Sequence, residues 1–149
     1  PIKTLAGEII GQHQGLPLYT IGQRKGVEIG GQGPYYVTSR DFTANTLYVT
    51  NNPNDPALSG KSLIAENVNW ISGRALKLPF QCQAVIRYRH QEVPCKIFSN
   101  TPRLRQGRSH PSQEGILVKF KEPQRAITPG QSIVFYKKDE LLGGGIIVN

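Results

Sequence analysis

Apolar residues recur along this chain in short runs, and nowhere at the spacing of a long helix. AGEIIG (6–11) is apolar at Ile9 and Ile10 and predicts a strand. PYYVTSRD and TLYVT, rich in β-branched and aromatic residues, flank FTAN and predict a hairpin. NNPNDP is a turn cluster, and SLIAENVNWI predicts another strand carrying Leu63, Ile64 and Trp70. In QCQAVIRYR the alternation puts Cys82, Ala84, Ile86 and Tyr88 on one face and Gln83, Val85, Arg87 and Arg89 on the other. VPCKIF, GILVKFK, SIVFYKK and LLGGGIIVN supply further strands. Thr20 followed by Gln23 has the spacing of a capping box and predicts a short helical turn at TIGQR. No internal repeat is visible.

ISGRALKLP breaks the periodicity with Gly73 and Pro79, and marks a boundary between two small units, 1–76 and 77–149. The fold class is all-β. A run of strands over about 70 residues without a helical pattern predicts a small closed barrel in the second unit, because closure removes exposed strand edges. SNTPRLRQGRSHPSQEG reads as an excursion between two of its strands. Gly143, Gly144 and Gly145 fall inside a strand pattern, where glycine marks a bulge, a tight bend or a close approach of two backbones.

The formal charge of +8 matters once it is located. Residues 1–73 balance five Lys/Arg against five Asp/Glu, and residues 126–149 balance two against two. Residues 74–125 hold eleven Lys/Arg against three Glu, so the whole excess lies in one third of the chain. An excess confined in this way points to a polyanionic partner. No apolar run approaches the roughly 20 residues of a membrane helix, and PIKTLAGEII is not a signal peptide, so a soluble cytoplasmic protein without a membrane partner is expected. The first residue is Pro rather than Met, which predicts that the chain is a piece of something longer.

YTIGQRKGVEIGGQG, Tyr19 to Gly33, concentrates glycine beside Arg24 and Lys25. It lacks the spacing of a phosphate-binding P-loop and opens no long helix. It is either a plain loop or a surface whose backbone lies close to phosphate, with Arg24 and Lys25 as contacts. Cys82 and Cys95 sit in strand-like runs and read as reduced core thiols. With His90 as the one nearby candidate they do not complete a metal site, and none is expected. His13, His90 and His110 have no nucleophile or carboxylate arrangement around them. The residues describe a binding surface and no catalyst.

GQHQGLPLYTIGQRKGVEIGG, PYYVTSRD, SLIAENVNWI, FQCQAVIRYRHQEVPCKI and EPQRAITPGQSIVFYKKDELLGGGII follow one another in order. Together they closely resemble the C-terminal portion of the bacterial tRNA-specific 2-thiouridylase family, whose older label is tRNA (5-methylaminomethyl-2-thiouridylate)-methyltransferase. The resemblance covers nearly the whole chain and is weak over 100–114, where typical members have a shorter turn. It implies a small central β domain followed by a six-stranded barrel similar to the second domain of translation elongation factors. It also implies an upstream ATP-pyrophosphatase-type domain, bearing an SGGxDS signature and two sulfur-carrying cysteines, that thiolates uridine 34 at the wobble position.

On that resemblance, ATP and persulfide sulfur belong to the parent enzyme and this chain needs no cofactor. Its partners are tRNA, the N-terminal catalytic domain of the same protein, and a sulfur-relay donor. Cys82 and Cys95 match barrel cysteines of the family, not its sulfur carriers. The family's tRNA-contacting Arg-Tyr pair falls on Arg87 and Tyr88, and its tRNA-contacting Gln falls on Gln131. The expected function is to hold tRNA for thiolation performed elsewhere in the enzyme, with no activity of these residues alone. The rival is a protein-interaction module that docks a sulfur donor or a partner domain.

Overall fold

Strand pairing sorts the apolar runs into two sheets. The computed structural model describes residues 1–27, 29, 33–88, 90–100 and 115–149, and it divides into two units, Pro1–Gly60 and Lys61–Asn149. In the first unit, β1 (Ile2–Thr4), β2 (Ile9–Gly11), β3 (Tyr36–Asp41) and β4 (Thr46–Thr50) form one sheet in the order β2-β1-β4-β3. β1 runs parallel to β4, and the other neighbours are antiparallel. β3 and β4 are the predicted hairpin. Its turn is fixed by Asp41, whose Oδ1 accepts from the N–H groups of Thr43 and Ala44 at 2.9 Å each. Ile2, Val37, Leu47 and Val49 are fully buried and pack with Leu16, Tyr19, Val27 and Tyr35. Each such aliphatic side chain contributes about 1.5–3 kcal/mol by leaving water.

The Thr20–Gln23 segment keeps its expected hydrogen bond but not the expected helix. Gln23 Oε1 accepts from the Thr20 N–H at 2.9 Å, while the Gln23 N–H donates to the Thr20 carbonyl at 3.0 Å. Gly22 between them has φ +79°, which is the third position of a type II turn and closed to a helix. The Gln23 side chain also donates to the Lys25 carbonyl at 2.7 Å, so one amide staples the whole turn.

The second unit is a closed barrel of six strands in the order β10-β5-β8-β7-β6-β9. Its strands are β5 (Ser59–Trp70), β6 (Phe80–Val85), β7 (Val93–Asn100), β8 (Gly115–Arg125), β9 (Ser132–Lys137) and β10 (Glu140–Ile147). Alternate residues point inward, and Leu63, Ala65, Cys82, Ala84, Cys95, Ile97, Val118, Ile133, Phe135 and Ile147 fill the interior. The boundary expected at 76 therefore moves upstream to 60, because β5 is a barrel stave paired to β10 and does not belong to the first unit. The irregular segment after Trp70 is a connection inside the barrel.

A second correction concerns QCQAVIRYR. Cys82, Ala84 and Ile86 are buried as the alternation requires, but β6 stops at Val85 and Tyr88 is 87% exposed. The chain turns instead, with the His90 N–H donating to the Arg87 carbonyl at 3.1 Å. Arg89 and residues 101–114, most of the expected excursion, lie outside the described residues.

Closure is made at Gly143–Gly145, which pair with β5 on one side and β9 on the other. A Cβ on Gly143 would strike the Asn69 carbonyl oxygen. One on Gly144 would sit 2.7 Å from the Ile133 carbonyl oxygen, and one on Gly145 2.9 Å from that of Glu66. With no side chain on Gly143, the rings of its two cross-strand partners, Trp70 and Phe135, approach to 5.6 Å. Gly144→Ala should cost about 1–3 kcal/mol, the range for overpacking. Ser62→Ala, on the exposed face of β5, should stay within about 0.5 kcal/mol. Urea unfolding followed by the fluorescence of Trp70 checks both; equal midpoints would refute the close-approach account.

Candidate nucleic-acid interface

The antiparallel register of β6 and β9 decides which expected contact residues meet. Val85 lies opposite Val134, so the chain leaving β6 and the chain entering β9 emerge at the same end of the barrel. The first carries Arg87 and Tyr88 in its turn, and the second carries Gln131 directly before Ser132. Residues far apart in sequence are thus brought to one rim. Arg87 is half-buried, whereas the Tyr88 ring is almost wholly exposed. A large aromatic held in water on a turn contributes nothing to the core and offers a flat face to a partner.

Gln131 is held by its backbone. Its N–H donates to the Thr128 carbonyl at 3.2 Å, its carbonyl accepts from the Ile147 N–H at 2.8 Å, and the Gly130 N–H donates to the Ile147 carbonyl at 2.7 Å. This stitches the β8–β9 turn onto the end of β10. The side-chain Oε1 of Gln131 is shielded from solvent and accepts no hydrogen bond among the described residues. Such an acceptor carries a desolvation cost of about 1–3 kcal/mol that an incoming donor would relieve. Arg125, the last residue of β8, stands exposed at the other foot of the same turn. The charge count included Arg125 without assigning it to the site; the signal for it is its place six residues before Gln131 in EPQRAITPGQ.

Arg24 and Lys25 belong to the first unit, exposed on the turn that Gln23 staples. That turn is fastened to β3 by two backbone bonds, Gly22 N–H to the Val37 carbonyl at 2.7 Å and Val37 N–H to the Gln23 carbonyl at 3.0 Å. Residues 20–25 of the glycine-rich stretch are therefore a shaped, hydrogen-bonded turn with its cations outward, while residues 28 and 30–32 of that stretch lie outside the described residues. His13 is structural: its Nδ1 accepts from the Gly15 N–H and its Nε2–H donates to the Asn45 carbonyl, each at 3.1 Å.

Cys82 and Cys95 are cross-strand partners with sulfurs 3.6 Å apart, both free and buried. The hydrogen bond with Cys82, together with burial, pushes the Cys95 thiol far above its usual range. The same bond holds Cys82 below its own, against the opposing effect of burial. Neither is presented as a surface nucleophile.

The two units correspond to two known domain families. Residues 1–51 match the tRNA methyl transferase PRC-barrel domain, and residues 60–147 match the aminomethyltransferase β-barrel domain. The two domain families thus lie in tandem along the chain. The tRNA-specific 2-thiouridylase MnmA of Alkalilimnicola ehrlichii is 40% identical over 152 residues, covering 99% of this chain and 39% of the relative. Those of Yersinia pestis and Yersinia pseudotuberculosis are also 40% identical over 99% of this chain, covering 38% of the relative. The chain belongs to the tRNA-specific 2-thiouridylase family and corresponds to its C-terminal part. It spans about two-fifths of the length of the curated relatives it matches.

With both sulfurs buried in the barrel, Cys82 and Cys95 should resist an aromatic disulfide reagent in the native state and react fully after denaturation. Thiol release followed at 412 nm checks this (about two equivalents, only in denaturant, given the buried thiols). Rapid native labelling of Cys95 would refute its burial and point to a reactive thiol.

Proposed function

We propose that this chain is the tRNA-holding portion of a tRNA-specific 2-thiouridylase, the enzyme that makes 2-thiouridine at wobble position 34. The observation that carries the reading is the meeting of Arg87, Tyr88 and Gln131 at one rim of the barrel, within the unit that holds the excess positive charge. Arg87 pairs with a phosphate and fixes register. Tyr88 stacks on an unpaired base, the usual way proteins grip single-stranded RNA loops. The Gln131 amide takes a hydrogen bond from ribose or base, relieving the orphaned Oε1. Arg24 and Lys25 add phosphate contacts from the first unit, and Arg89, two residues after Arg87 in the sequence, adds another.

Adenylation of the uridine by ATP and delivery of persulfide sulfur are assigned to the catalytic domain of the same protein, supplied by a sulfur-relay donor. These residues position the substrate and perform no bond-making step. The cytoplasm, where tRNA is modified, is the expected location. Among the described residues, no helix is long and apolar enough to cross a membrane.

Titration of tRNA at several salt concentrations tests the reading. Arg87→Ala should reduce the steepness of log K against log salt by about 0.7–0.9, the amount for one phosphate no longer neutralised. Gln131→Ala should weaken binding by about 1 kcal/mol with the slope nearly unchanged, as for a neutral hydrogen bond. Tyr88→Ala should cost about 1–3 kcal/mol, the range for base stacking. Replacing Lys137 and Lys138, followed in sequence by Asp139 and Glu140, should matter less. If none of these changes binding and salt has no effect, the protein-docking reading is the better one.

A further inference from the structure

A second basic surface lies on the flank of the barrel, away from the rim. The outward residues of β6, β7 and β8 and the end of β9, together with the largely buried Cys82, Cys95 and Phe120 between them, line an open groove of about 680 Å³. Lys96, Lys119, Lys121, Lys137 and Lys138 line it, Phe98 forms part of its floor, and no carboxylate is among the lining residues described. Lys96 and Lys119 are direct cross-strand partners. Their Nζ atoms stand 5.5 and 5.3 Å from the centroid of the same Phe98 ring. Lys121 follows two residues on, on the same face of β8, and is exposed like the other two.

Two like charges directly opposite on a sheet are destabilising, and a third beside them adds to the cost. The cation–π contacts with Phe98 offset only part of it. The fold therefore maintains a patch that a bound anion would stabilise. Lysine is depleted from the cores of protein–protein interfaces, whereas flexible ammonium groups suit phosphates whose sequence is not read. The groove and the rim share strand β6. Gln83 lines the groove two residues before β6 ends at Val85, and Arg87 lies in the turn that follows.

We propose that this flank groove is a seat for the sugar–phosphate backbone of RNA, on the same barrel as the rim that carries Arg87 and Tyr88. The proposal rests on the reading of the chain as a tRNA holder and extends its footprint. Lys96, Lys119 and Lys121 neutralise phosphates without reading sequence, while the rim engages an unpaired base. Lys137 contributes less, since Glu140 is its register partner across the β9–β10 turn.

The test compares two triple variants of the 149-residue chain in fluorescence anisotropy with labelled, unmodified tRNA at several salt concentrations. One is K96Q/K119Q/K121Q. The other, K61Q/R74Q/K77Q, removes the same charge from exposed positions outside the groove. Trp70 fluorescence confirms that both are folded. The groove variant should flatten the log K against log salt slope by about 2–3, three phosphates at 0.7–0.9 each, and weaken binding more than tenfold at 0.15 M salt. The control should lose less than half as much. Equal losses would reduce the effect to net charge and overturn the proposal. An unchanged groove variant beside a weakened Arg87→Ala would overturn the groove and leave the rim reading standing. A weakened groove variant beside an unchanged Arg87→Ala would support the groove and remove the rim. If poly-glutamate displaced the tRNA as well as poly-uridine of equal charge, the occupant would be an acidic protein segment and the proposal would fail. No tRNA binding by the parent chain at low salt would overturn both readings.

Discussion

The barrel depends on one strand lying against two backbones at once. β10 pairs with β5 and β9, and the sheet closes only if its middle brings no side chains between those neighbours. Three consecutive glycines meet that demand. The pairing shifts on both sides of the run, between Leu141 and Gly143 toward β9 and between Gly144 and Ile146 toward β5. Such irregularities bend a strand, as a small barrel requires at a corner. Trp70 and Phe135 then occupy the space the glycines vacate, so closing the sheet and filling its core are one event.

Closure fixes the proposed binding rim as well. Arg87 and Tyr88 leave β6 at the end where Gln131 enters β9, and Gln131 is tied through its backbone to the last residues of β10. The polar groups therefore stand on turns anchored to rigid staves. An arrangement of this kind holds a ligand at little entropic cost, because the turns are ordered before it arrives. In the first unit the device is different: one side-chain amide, Gln23, orders a turn that two glycines with positive φ make possible.

Much of this was legible along the chain. Period-two alternation identified most of the barrel strands and the burial of Cys82, Ala84 and Ile86, because an inward-facing residue must be apolar whatever its partner. What alternation cannot see is where pairing ends. Ile86 and Tyr88 prolong the pattern of β6, yet the strand stops at Val85 and the aromatic faces water. The capping-box spacing at Thr20 and Gln23 read the local hydrogen bond correctly, while the positive φ of Gly22 redirected the backbone. β1 escaped notice because Ile2–Thr4 is too short to show a period, and its parallel partner β4 is more than forty residues away. The flank lysines entered only as a charge total. Their adjacency comes from a register between β7 and β8 that no local window contains.

The place of β5 sets how this chain can be divided. As a twelve-residue stave between β10 and β8, it supplies pairing to two other strands. A domain cut after residue 76 would deprive both of a partner and leave an open five-strand sheet with two bare edges. Unpaired edges invite strands from neighbouring molecules, and that product would be prone to association and precipitation. A cut ahead of Ser59 keeps the ring whole. Where the chain is cut thus decides whether the barrel is released closed or with two bare edges.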